Sequence, residues 1–76
     1  MLINGYAIKN WNGRRYLKTR LAVNNGKNAT VWVLAKEDAW MFRTIREARR
    51  LLNLVRADSR RPEAIHVVDR NGRIVV

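Results

Sequence analysis

Lys9, Trp11, Arg14, Tyr16, Lys18 and Arg20 follow one another along the first part of the chain with no carboxylate among them. Cations hold phosphate oxygens and flat rings stack on bases or sugars. Cations and rings interleaved on one strand face are therefore the chemistry of a nucleic-acid surface. The plainer meaning of the same pattern is a stabilising aromatic neighbourhood flanked by cations whose stems lie on the rings. Arg46, Arg49, Arg50 and Arg56 form a second group, at helical spacing. A solvated helix face is its common meaning, but residues 43–61 contain no lysine. Arginine is the residue of phosphate and carboxylate forks, so this face is the alternative partner site.

The residues of catalysis are not assembled. His66 is the only histidine and lies in an apolar run, where a structural or surface role fits better than a general base. The six carboxylates are scattered, with no paired spacing for acid–base work. No Gly-rich phosphate loop, serine elbow or metal-ligand cluster occurs. The expectation is a non-enzymatic protein with no catalytic residue, no cofactor and no metal.

Charge points the same way. Sixteen basic residues against six acidic give +10, and the surplus is unevenly placed. Residues 1–35 carry +6 with no acid at all, residues 36–42 carry −1, residues 43–61 carry +5, and residues 62–76 balance at zero. Such a surplus implies an anionic partner: nucleic acid, an acidic face of another protein, or an anionic membrane. Solubility alone does not require clearing every acid from the front of a chain. There is no cysteine to staple the fold or ligate a metal, which fits a cytoplasmic protein. Met1-Leu2-Ile3 runs directly into Asn4-Gly5, so no signal-peptide core is expected, and no apolar run is long enough to span a membrane.

These groups need elements to hold them. Residues 42–61 make the one convincing helix. Ile45, Ala48, Leu51, Leu52 and Val55 fall on one side, with Arg46, Arg49, Arg50, Asn53 and Arg56 opposite. Thr44-Ile45-Arg46-Glu47 reads as a capping box, with Glu47 reaching back to the Thr44 amide, and Pro62 marks the far end. Every glycine follows an asparagine, and Asn12-Gly13, Asn25-Gly26 and Asn71-Gly72 separate strand-like runs. Asn-Gly favours the two-residue type I′ turn, so three hairpins are expected. The first two predict the pairs Lys9/Tyr16, Ile8/Leu17 and Tyr6/Thr19, then Val23/Asn28, Leu21/Thr30, Thr19/Trp32 and Leu17/Leu34. One face then collects Tyr6, Ile8, Leu17, Leu21, Val23, Trp32 and Leu34 as core. The other collects the basic and aromatic set, with Ala22, Ala29, Val31 and Val33 beyond it. Trp40 and Phe42 are expected to plug the core edge beside the helix.

The result is one small α+β domain over residues 1–76, ordered β-β-β-α-β-β. A three-stranded antiparallel meander packs on one helix, and a C-terminal β-hairpin, residues 64–70 and 73–76, follows; too apolar for an isolated tail, it should extend the sheet, pack under the helix or pair with another subunit. So small a core, with an apolar tail edge at Ile74, Val75 and Val76, suggests a homodimer.

At Phe42-Arg43-Thr44-Ile45-Arg46-Glu47-Ala48 the pattern F-x-T-x-x-E-A follows the predicted sheet. It is similar to the arm-type DNA-binding domain of phage tyrosine recombinases, over about residues 6–54. Tyr6-Ala7-Ile8-Lys9 with the same helix start also resembles the hybrid-binding domain of ribonuclease H enzymes, whose tryptophan-containing motif has no match here. The segment 36–41 and the C-terminal hairpin depart from the recombinase pattern. The resemblance implies a helix backing a sheet that docks in a DNA groove. It also implies a phage or prophage origin, hence the host-cell cytoplasm, and favours DNA over RNA. On this reading Lys9, Trp11, Arg14, Tyr16, Lys18 and Arg20 form the binding face. The alternative is a phage-encoded inhibitor of anti-restriction or anti-CRISPR type. It would set the helix arginines on an acidic or nucleic-acid-handling surface of a host protein.

Overall fold

A computed structural model describes residues 5–22 and 28–76. The strands are β1 (Ala7–Asn10), β2 (Arg15–Ala22), β3 (Asn28–Val33) and β4 (Ile65–Val68), and the helix α1 spans Ile45–Ala57. They form a single four-stranded antiparallel sheet in the order β3-β2-β1-β4, with α1 lying mainly over β4 and β1. The α+β class is as expected, but the last hairpin is not a separate piece. Its first strand completes the sheet beside β1, where Ala7, Ile8, Lys9 and Asn10 face Val68, Val67, His66 and Ile65. This placement buries the apolar residues Ile65, Val67 and Val68 that an isolated tail would expose. The chain end returns along the far edge of β4, with Val75 donating to Val67 O at 2.8 Å and Val67 donating to Val76 O at 3.2 Å.

The core joins Ile8, Leu17, Ile65 and Val67 of the sheet to Ala48, Leu52 and Val55 of α1 and to Phe42, with Tyr6, Trp32, Leu51 and Val76 packed around them. Thr44 caps the helix: its hydroxyl accepts from the Glu47 amide and donates to the Glu47 carboxylate, each at 3.2 Å. Half of the expected capping box is therefore present, since the Glu47 carboxylate meets the Thr44 hydroxyl instead of its amide. The helix stops at Ala57, before Pro62, and Pro62 instead opens a 3-10 turn over Pro62–Ala64. Ile45, expected in the core, is exposed at the first turn, where the sheet does not reach. No helix among the described residues is long and apolar enough to cross a membrane.

Two irregularities overturn the expected strand register. First, β1 and β2 pair only through Lys9/Tyr16 and Asn10/Arg15. Beyond that point residues 40–42 bond to β2 and to the residue preceding β1: Trp40 donates to Leu17 O at 2.9 Å, and Tyr6 and Phe42 exchange bonds of 2.8 and 2.7 Å. Ile8/Leu17 and Tyr6/Thr19 therefore do not pair. Second, β2 carries a bulge at Lys18, the extra residue between Leu17/Trp32 and Thr19/Val31. Thr19/Val31, Arg20/Thr30 and Leu21/Ala29 replace the expected Thr19/Trp32 and Leu21/Thr30, and Leu17 faces Trp32 instead of Leu34, which lies past the end of β3. A shift of one residue exchanges the faces of a strand. Beyond the bulge Arg20 thus lies on the helix side, while Leu21 turns away and is 51% exposed. Leu34, also expected in the core, is exposed as well. The expected Asn25-Gly26 turn and the core position of Val23 lie outside the described residues.

Candidate nucleic-acid interface

Alternation along β1 puts Ala7 and Lys9 on the face turned from the helix, and pairing puts Tyr16 and His66 on either side of Lys9. The Lys9 Nζ lies 3.9 Å from the centroid of the Trp11 ring and 5.3 Å from that of Tyr16. Both distances are within cation–π range. Lys9 and Tyr16 are half-buried, whereas Trp11 is 38% exposed at the sheet end. The structure thus gathers Lys9, Trp11 and Tyr16 into one cluster.

The neighbouring loop supplies more charge. Asn10 Oδ1 accepts from the Asn12 amide at 2.9 Å, a side-chain-built turn. The left-handed positions then fall at Gly13 (φ 98°) and Arg14 (φ 51°). The type I′ turn expected on Asn12-Gly13 would need them one residue earlier. Arg14 therefore holds a backbone conformation that costs an arginine and not a glycine. Arg14, Arg15 and Lys18 are exposed, and none of them pairs with a carboxylate among the described residues.

Arg20 does not belong to this cluster. Turned by the bulge, its Nε meets Asp58 Oδ2 at 2.9 Å and ties β2 to the C-cap of α1. The opposite end of the outer face is also closed to a ligand, because Ala7 and Val68 are fully buried there. Lys36 fastens residues 36–38 to the same end by donating to the carbonyls of Asp69 (3.3 Å) and Arg70 (2.7 Å). The accessible part of the predicted site is thus Trp11 beside Lys9 and Tyr16, with the exposed Arg14 in the adjoining loop and the exposed Lys18 at the bulge, whereas Arg15, paired with Asn10, falls on the opposite face.

On the helix, Arg46, Arg49 and Arg50 are exposed as expected and meet no carboxylate among the described residues. Like charges spaced three and four apart destabilise a helix slightly. Arg56 is not one of them. It is half-buried and bends to the outer edge of β4, next to the returning chain end, where Nη2 and Nε donate to Ile65 O at 2.7 and 3.0 Å. Its Nη2 also lies 3.4 Å from Nδ1 of His66, which is itself 3.3 Å from Val76 O. His66 is thus held in the fold at this edge, next to Lys9 in the sheet.

Sequence reasoning missed two features. Asp69 organises the last turn by accepting from the amides of Asn71 and Arg73, both at 2.9 Å. Those bonds, the Arg73 amide foremost, hold its carboxyl below the usual aspartate range. Its signal was an Asp two residues before Asn71, the same spacing as Asn10 to Asn12. Trp40 is the other. Phe42 is buried as expected, but Trp40 stacks on it at 4.9 Å and stays 41% exposed. Residues two apart on extended backbone share a side, and only the inner ring fits the core.

No protein-family model, curated protein or solved structure matches the chain.

Proposed function

We propose that this domain is a non-enzymatic nucleic-acid-binding protein. It docks through the sheet end formed by Lys9, Trp11 and Tyr16, with Arg14 and Lys18 on phosphates and little sequence preference. One observation carries the reading: a lysine seated on an exposed tryptophan, on a strand and loop whose Arg14 and Lys18 are exposed and meet no carboxylate among the described residues. Rings and cations placed together are the machinery of a backbone-tracking, base-stacking surface. Arg14 in the left-handed region adds support, since backbone strain collects at functional sites. DNA is tried first, on the resemblance at Phe42, Thr44, Glu47 and Ala48.

The test is fluorescence anisotropy with random duplex and single-stranded DNA across a salt series. Neutralising Lys9, Arg14 and Lys18 together should lower the salt slope by about 2.7, at about 0.9 per phosphate contact. Trp11→Ala should weaken single-strand binding by about 1–3 kcal/mol, and duplex binding less. Arg46, Arg49 and Arg50 changed together should have the smaller effect. The reverse order would transfer the site to the helix and favour a protein inhibitor. Absence of binding by the unmutated protein at low salt would end the nucleic-acid reading.

A further inference from the structure

Beside the helix lies an open groove of about 400 Å³, distinct from the sheet-end cluster. Phe42 is buried in it, Met41 and Leu51 are half-buried, and Trp40 and Leu54 expose 41% and 44% of their surface. Arg43, Glu47 and Arg50 complete the lining. The Glu47 carboxylate already accepts from Thr44, while Arg43 and Arg50 meet no carboxylate among the described residues. An apolar trough with a partly exposed tryptophan, an adaptable methionine and arginine forks has the composition of a binding hot spot.

We propose that this groove is a protein-docking site for an acidic segment that buries a bulky apolar side chain against Trp40, Leu51 and Leu54. Its carboxylates would pair with Arg43 and Arg50. Charge complementarity selects this occupant. Two guanidinium groups face one carboxylate that is already engaged, and bidentate forks match carboxylates in geometry. A second copy of the chain is disfavoured because each copy carries +10. A nucleotide could stack on Trp40 and set its phosphate on Arg43 or Arg50, but its polar sugar and base edge would then lie on the apolar surface of Met41, Leu51 and Leu54, which a bulky apolar side chain fills better. This site goes beyond the nucleic-acid reading and does not depend on it.

The experiment is selection from a displayed library of short random peptides on the immobilised full chain. The selected sequences are then labelled with fluorescein and titrated by anisotropy against the unmutated protein, Leu54→Glu and Arg50→Glu. Both positions are exposed, and thermal melts confirm that each variant folds. The expected peptides carry more Asp and Glu than Lys and Arg, with a Trp, Phe or Leu among them. Each variant should weaken them by about tenfold or more, as loss of a hot-spot contact does. Whatever binding labelled oligothymidine shows to the unmutated protein should be the same for Leu54→Glu. No enrichment over blank support, enrichment of neutral or basic peptides, or binding to both variants as tight as to the unmutated protein would overturn the proposal. Loss of oligothymidine binding in Leu54→Glu, with peptide binding retained, would give the groove to nucleic acid instead.

Discussion

Replacing Arg56 tests the separation of one helix arginine from its neighbours. Its Nε and Nη2 both donate to Ile65 O, at 3.0 and 2.7 Å, from a half-buried side chain. A hydrogen bond to a charged group contributes about 1.5–3 kcal/mol, and the two bonds share one acceptor, so they do not add. Ile65 itself is fully buried, and its carbonyl lies on the outer edge of β4, two residues before the point where Val75 and Val76 bond to Val67. Arg56→Ala should therefore cost about 2 kcal/mol, or about 8–16 °C in Tm for a domain of this size. Arg56→Lys keeps the charge but not the planar fork and should fall between. Arg46→Ala and Arg49→Ala should change stability by less than about 0.5 kcal/mol, since they lose only solvated, mutually repelling charges. Urea unfolding followed by circular dichroism measures all four at once. Equal effects at the three arginines, or an Arg56→Ala midpoint within error of the unmutated protein, would refute the claim that Arg56 belongs to the fold and not to a binding face.

Further outcomes are expected from single changes. Thr44→Ala should lower stability by about 1 kcal/mol by leaving the Glu47 amide without its cap, read as a shift in the urea midpoint. A double-mutant cycle on Arg20 and Asp58 should return a coupling of about 0.2–1 kcal/mol, because the pair is part-exposed, with no change in DNA affinity from Arg20→Ala. Arg14→Gly should raise stability by about 1 kcal/mol through relief of the left-handed backbone, and should lower the salt slope of DNA binding by about 0.9. Asp69 has its folded pKa lowered from 3.8, so its contribution is complete above that value and is lost as pH falls through the lower folded value. Acid unfolding of Asp69→Asn, which keeps an acceptor but no charge, should lack that component below about pH 4.

Periodicity and capping chemistry carry a long way here. Ala48, Leu52 and Val55 are buried against the sheet because their spacing matches the helical repeat, and Thr44 caps because its hydroxyl precedes an amide with no helical partner. Lys9 faces Tyr16 because the loop between them closes at the length the Asn-Gly pair marks, even though Asn10 moves the left-handed positions by one. The cluster of Lys9, Trp11 and Tyr16 was legible for the same reason. The bulge at Lys18 was not: residues 15–22 contain no glycine or proline to mark it, and its effect is to give Arg20 to Asp58, a partner 38 residues away. Likewise, only tertiary structure brings residues 40–42 between the ends of β1 and β2 and sends Arg56 to the β4 edge. Backbone groups left unpaired at a strand end or sheet edge accept whichever donor the packed chain delivers, and local residue pattern carries no record of that choice.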